Sequence, residues 1–199
     1  MAAADGVTID TAMDWPRDEQ WEAANTVVFF QKGQWTPERA GVIDRHLAKG
    51  GGLVFIHWAV EAGKHAPSFA EQIGLASHSA TTKYRHGDVE LLFNATDAHA
   101  ITLGFDKLLL HDESYWNLHG DPKKIRVLGT ASEEGELHPQ FWTLERNRGR
   151  VFVSIPGHYS TTFDDPLFRI LLLRGIAWTS REAVDRFSEL VWYGTNVLD

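Results

Sequence analysis

Between Thr26 and His57 the sequence changes period twice, and that switch limits the fold more than any other feature. Thr26 to Phe30 (TVVFF) is apolar at nearly every position, short, and rich in β-branched and aromatic side chains, the mark of a strand covered on both faces. Thr36-Pro37 then offers an N-cap and first-turn pair, and Ala40, Ile43 and Leu47 recur at helical spacing. Gly50 stands where a left-handed residue ends a helix. Leu53 to His57 (LVFIH) returns to an apolar run. A strand, helix and strand of these lengths form a βαβ crossover, which joins parallel strands in one sheet. The expected class is therefore α/β with a mostly parallel sheet.

The rest of the chain fits that frame. Pro67 to Ile73 is expected as a short helix, Asp88 to Phe93 as a strand, Ser114 to Asp121 as a loop and Ile125 to Gly129 as a strand. Gln140 to Ile155 has the pattern of a hairpin turning at Asn147 to Gly149. Asp165-Pro166 caps a last helix with Leu167, Ile170, Leu171 and Trp178 on one stripe, and the segment from Arg181 onward is expected to pack on the domain. No repeat, low-complexity tract or linker divides the 199 residues, so a single domain over 1–199 is expected.

Composition removes several classes of function. The net charge is -8 and basic residues do not cluster, so the electrostatic term behind most nucleic-acid affinity is missing, and anionic membrane surfaces are disfavoured for the same reason. There is no cysteine, which excludes disulfides, iron–sulfur clusters, thiolate-bound zinc and thiolate nucleophiles. Met1 to Asp10 lacks the basic and apolar regions of an export signal, so a cytoplasmic location is the default expectation.

In open parallel sheets a ligand lies beyond the carboxyl ends of the strands, so the residues that end strands carry the candidate chemistry. Gln31 follows the first strand, His57-Trp58 the second, and Gly157-His158-Tyr159 the strand Val151 to Ile155. Asp112-Glu113 stands where the apolar run Leu108 to Leu110 gives way to Tyr115 and Trp116.

The blocks GGGLVFIHWAVE, HAITLGFDKLLLHDESYW, FWTLERNRGRVFVSIPGH and FDDPLFRILLLRGIAW occur in the order found in the ThuA-like (trehalose-utilisation) family. The chain resembles that family from DWP near its start to VDRFSELV near its end. The resemblance implies a flavodoxin-like three-layer sandwich within the class I glutamine amidotransferase-like superfamily, and a role in disaccharide or keto-sugar metabolism. Amidotransferases of that superfamily carry a Cys at the sharp turn matching His57, and a His followed two residues later by Glu where this chain has His158 and Ser160. A Cys-His-Glu glutaminase triad is thus absent. The resemblance also implies a central strand and a helix ahead of Gly6 to Pro16. This sequence is expected to lack them, because it starts late, because it is a fragment, or because the sheet closes differently and by association; a missing central strand would leave two unpaired edges open to pairing with other chains, which makes a homo-oligomer one expectation.

His57 could act as general base, metal ligand or hydrogen-bond donor to a substrate oxygen, against the plainer role of a buried histidine bonded to backbone. His158 has the same choices, and the Gly157 beside it leaves room for a ligand or another backbone to approach. Adjacent residues of an extended chain point to opposite sides, so only one of Asp112 and Glu113 is expected to face the site; the choice falls on Glu113, as orienting or second acid/base group. No metal motif is present, and a divalent metal would have to be assembled from His57, His158 and Glu113. Trp58, Tyr115, Trp116, Tyr159 and Gln31 are the candidate sugar-binding residues. His46 is expected on a helix surface, and His65, His78, His86, His99, His111, His119 and His138 in loops, with His86 and His99 flanking a family block. Trp15, Trp21 and Trp35 are expected to cover the sheet or mark an association surface, and Trp178 to lie in the core. Gly50 to Gly52 follows a helix and precedes a strand, the wrong order for a phosphate loop.

Two functions follow. In the first, a small carbohydrate is processed by acid/base chemistry beside a carbonyl, as in isomerisation, epimerisation or elimination. In the second, the fold is kept as a non-catalytic sugar-binding or interaction module.

Overall fold

The computed structural model describes residues 4–33 and 35–191. The last eight residues of the expected C-terminal tail, 192–199, lie outside the described residues. A short helix α1 (Asp18–Ala23) precedes the crossover, which forms as its periodicity dictates: β1 (Thr26–Phe29), α2 (Pro37–Lys49) and β2 (Gly52–Ile56). The Thr36 hydroxyl caps α2 by accepting from the Arg39 amide, and Gly50 ends it at φ +96, a left-handed conformation that costs glycine nothing. After α3 (Ala66–Ile73) come β3 (Leu75–Ala76), β4 (Lys83–Phe93), β5 (Lys107–Trp116), β6 (His119–Gly120), β7 (Arg126–Glu133), β8 (Glu136–Arg146), β9 (Gly149–Ser154) and α4 (Pro166–Thr179).

Seven of these strands form one sheet in the order β1-β2-β9-β8-β7-β4-β5, while β3 and β6 pair separately. Only β1 with β2 and β2 with β9 are parallel; β9-β8, β8-β7, β7-β4 and β4-β5 are all antiparallel. The sheet is thus mixed, and the expectation of a mostly parallel one holds only at its β1-β2-β9 end. The reason is local: after β3 no long helix intervenes until α4, so the strands from β4 to β9 are joined too closely for crossovers. β1 pairs directly with β2, from Thr26 opposite Gly52 to Phe29 opposite Phe55. The sheet is continuous from β1 to β5, so the two unpaired edges expected in its middle are not found among the described residues.

Alternation along β2 feeds a core on each face of the sheet. Leu53 and Phe55 pack with Ile43 and Leu47 of α2 and Phe69 and Ile73 of α3; Val54 and Ile56 pack with Phe168, Leu171 and Trp178 of α4. On the first face Trp15, Trp21, Trp35, Phe29, Phe55 and Phe69 form a continuous aromatic layer, with centroids of the Trp15–Trp21 pair 5.1 Å and of the Trp35–Phe69 pair 3.9 Å apart. The N-terminal tryptophans therefore cover the sheet.

Several expectations need correcting. His46 is not on the surface: it is 6% exposed, donates Nε2–H to the Gly52 carbonyl at 3.1 Å and meets Trp21 edge-on. It shares the spacing of Ile43 and Leu47, so helix geometry carries it inward with them. The strand expected over Asp88 to Phe93 begins at Lys83, and the loop expected from Ser114 starts only after Trp116. His86, His111, His119 and His138 consequently lie on strands, not in loops. Charged and polar side chains at alternate positions of β4 and β5 face solvent and hide the strand pattern from an apolar-run reading.

Candidate functional site

The chain makes a sharp turn as it leaves β2. His57 has φ +57, a conformation that non-glycine residues seldom adopt, and begins a 3-10 turn over His57–Val60. Strain of this kind persists only where the surroundings enforce it, and it concentrates at functional positions. Here β2 and the segment after β9 enforce it: the Ile155 carbonyl, which can only accept, holds His57 Nδ1 at 3.1 Å. Nδ1 therefore carries the proton and Nε2 presents its lone pair. Burial disfavours the charged ring and holds the His57 pKa below its ordinary value, against the opposing pull of the Ile155 bond and of Glu113.

The segment after β9 brings His158 to the same point, with His158 Nδ1 3.1 Å from His57 Nε2. Gly157 takes φ +140, and a Cβ there would come within 2.8 Å of Ile56 Cγ2, so the close neighbour is the last side chain of β2 rather than a ligand or backbone. Asp112 fixes this turn. The carboxylate is fully buried, and Oδ1 accepts from the amides of Gly157 and His158, each at 3.0 Å, while Oδ2 accepts from the Thr162 hydroxyl.

Glu113 points the other way, as strand alternation requires. It is 4% exposed, and three imidazoles converge on it: His57 Nε2 at 3.4 Å, His86 Nε2 at 2.9 Å and His158 Nδ1 at 3.6 Å. The Tyr115 hydroxyl lies 3.4 Å from His57 Nε2, and burial, with Glu113 beside it, pushes its phenol pKa well up, so it stays protonated. Gln140, fully buried, clamps the Tyr115 backbone by both its amide groups. His86 donates Nε2–H to Glu113 and so accepts at Nδ1 from the Tyr159 hydroxyl, 3.0 Å away. A hydrogen-bonded chain thus runs from Tyr159 through His86 to the buried carboxylate.

The structure brings together His57, His158, Glu113, Tyr115 and Tyr159 of the residues picked from sequence. Trp58, 46% exposed, lies beside His57 with ring centroids 5.8 Å apart. Two others lie elsewhere. Gln31 donates to the Asp14 carbonyl of the N-terminal segment, and Trp116 is on the face of β5 opposite Tyr115. Asp112 and Glu113 sit inside a strand rather than at its end. Sequence reading missed His86 as a site residue; the signal was available in the pairing of β4 with β5, which sets His86 opposite Glu113 and Tyr84 opposite Tyr115. His99, the other flanking histidine, instead caps a turn beside Trp178. A groove of about 510 Å³ lined by Leu103, Phe105, Leu167 and Arg174 opens between the start of β5 and α4, and no histidine lines it.

With this geometry in place, comparison with known proteins decides the family. The model described as ThuA, trehalose utilisation, matches residues 1–179. The chain belongs to the ThuA family. Two similar solved structures are ThuA-like proteins: one from Parabacteroides merdae, 22% identical, with TM-score 0.67 over 82% of this chain and 73% of that one, and one from Bacteroides uniformis, 17% identical, with TM-score 0.64 over 83% and 75%. A β-galactosidase from Bacillus circulans shares the fold at 11% identity and TM-score 0.54, over 80% of this chain but 22% of its own. No curated protein matches.

In this ThuA-family chain the late-strand histidine has a serine, Ser160, where the glutaminase triad would have its acid. A carboxylate still reaches the histidines, from Glu113 on β5. The acid of the cluster therefore comes from a strand antiparallel to its neighbour, and its reach depends on the β4–β5 register. Among the described residues no helix is long and apolar enough to cross a membrane.

Proposed function

We propose that this ThuA-family protein processes a small carbohydrate, a disaccharide or keto-sugar, by acid–base chemistry at the cluster of His57, His158 and Glu113. The observation that carries the reading is the buried Glu113 carboxylate with three imidazoles around it, beside a strained His57. A buried carboxylate so surrounded is a proton-handling arrangement, and the family's description, trehalose utilisation, supports a carbohydrate as substrate. In a keto-sugar, His57 Nε2 accepts the proton from the carbon beside the carbonyl, and the electron pair moves onto the carbonyl oxygen to give an enediolate. A proton returned through His158 to the opposite face of that carbon gives the epimer; protonation of the former carbonyl carbon instead, with the hydroxyl proton of the first carbon passing to the enediolate oxygen as a C=O forms at that first carbon, gives the isomer. Glu113 orients both rings and balances the charge that builds on them. Exposed Trp58 offers a face for the sugar's C–H surface, and Tyr159 a hydroxyl at the rim.

A thermal-shift screen of the full chain against mono-, di- and keto-sugars tests this. Stabilisation by one sugar class, lost in His57→Ala and in His158→Ala, supports the reading. Stabilisation that survives both substitutions overturns it and leaves a sugar-binding module with its platform elsewhere.

A further inference from the structure

We infer that His57, His158 and Glu113 form a binding site for one divalent transition-metal ion, open to a sugar oxygen on the His158 side. The inference rests on the function proposed above and deepens it at the same site. Its first support is spacing. One ligand atom from each residue lies within 4.8 Å of the others: His57 Nε2 stands 3.1 Å from His158 Nδ1 and 3.4 Å from Glu113 Oε2, while the second carboxylate oxygen, Oε1, lies 3.6 Å from His158 Nδ1. Ligands held at about 2.1 Å from an ion stand roughly 3.0 Å apart in octahedral and roughly 3.4 Å apart in tetrahedral geometry, so the two contacts of His57 Nε2 already have the edge lengths of a coordination shell, and Glu113 turns one oxygen toward each imidazole.

The second support is the direction of the lone pairs. With the proton of His57 given to the Ile155 carbonyl, Nε2 faces Glu113 Oε2 as one acceptor facing another, in a site closed to water on that side. A proton on His158 Nδ1 and the Tyr115 hydroxyl, 3.4 Å from His57 Nε2, each serve one acceptor at a time; a cation serves all three residues at once. The bond from Nδ1–H to a backbone carbonyl is also how metal-binding histidines are oriented from behind. His86 holds Glu113 from behind in the same way, at 2.9 Å, and Asp112 anchors the backbone of His158. Two imidazoles and one carboxylate, with remaining positions open, suit Zn2+, Mn2+, Fe2+ or Co2+ better than the oxygen-seeking Mg2+ or Ca2+. With an ion bound, the His57 and His158 lone pairs would be taken up as ligands, so the ion would polarise the sugar oxygen and a hydroxide formed from water on it, in place of His57, would accept the proton.

The test uses chelator-treated full-length protein titrated with Zn2+, Mn2+ and Co2+, followed by calorimetry and by the visible absorption of bound Co2+. One equivalent is expected to bind, with affinity lower by about tenfold or more in His57→Ala, His158→Ala and Glu113→Gln. His65→Ala, outside the cluster, should bind as the unmodified chain does. Because a variant can fail for want of folding, the unmodified protein supplies a second measurement: bound Zn2+ should shield His158, but not His65, from diethylpyrocarbonate. Absence of one-to-one binding, or binding unchanged in Glu113→Gln, overturns the site. The sugar screen separates the two ideas. Stabilisation by sugar that persists in the chelated protein and still needs His57 overturns the metal site and keeps the function; metal binding with no sugar response keeps the metal site and overturns the function.

Discussion

His57 and Glu113 stand 3.4 Å apart, yet they come from halves of the sheet that deliver side chains in different ways. The parallel half, β1-β2-β9, presents its residues from turns beyond the strand ends, where backbone strain and the Gly157 conformation aim the imidazoles. The antiparallel half presents Glu113 and His86 from within paired strands, where the pleat and the β4–β5 register aim them with no unusual backbone at either residue. The difference separates two kinds of vulnerability. Strand-end residues are sensitive to local conformation, and mid-strand residues to register.

The largest expected effect falls on turnover, and it should be common to both halves. His57→Ala and Glu113→Gln should each lower the rate on the responsive sugar by about 100-fold or more while circular dichroism stays unchanged. A large loss in only one of them would break the pairing of the halves into one site. Next is Asp112, the link between them, since a β5 carboxylate holds the turn after β9. Asp112→Ala strands buried amides of Gly157 and His158, and should cost about 3 kcal/mol, or roughly 6 to 12 °C in melting temperature. A melting temperature within a degree of the unmodified chain would mean that the turn holds itself.

A smaller effect tests strain at the strand end alone. His57→Gly should be more stable than His57→Ala by about 1 kcal/mol, reversing the usual order, because φ +57 suits glycine. Paired thermal melts of the two variants measure it, and the usual order would remove strain from the account. Smallest is the pH dependence set by His46 in the parallel half. Burial holds its pKa below 6.5, despite the opposing Gly52 bond. As pH falls below 6.5 the unfolded chain takes up a proton that the folded chain refuses, so stability should decline there. His46→Gln should flatten that decline in part, with His57 and His99, also lowered by burial, keeping the remainder. Melts between about pH 5 and pH 8 report it.

The same contrast explains what the sequence disclosed. The βαβ unit was legible because an apolar strand, a capped helix and a second apolar strand leave no other arrangement, and with it came His57 at a strand end. His158 was legible for the same reason. Glu113 was picked from its block and from strand alternation, but its partner His86 was not, because β4 carries polar side chains over its first half and its pairing is long-range. His46 escaped through its chemistry: a polar side chain at a core spacing reads as surface until a carbonyl such as that of Gly52 is found to receive it. The mixed sheet escaped because pairing order past β3 depends on contacts between strands that no local pattern encodes.

The aromatic layer on the first face has an optical consequence. Trp15, Trp21 and Trp35 lie close enough to pass excitation among themselves, with Trp15 and Trp35 centred 5.9 Å apart, while Trp178 sits under Arg150 on the other side of the sheet. The two cores therefore hold separate tryptophans, with Trp142 also in the first. Near-ultraviolet dichroism should be dominated by the packed Trp15, Trp21 and Trp35, and a Trp178→Phe variant would remove the second core's contribution while the histidine cluster is left untouched.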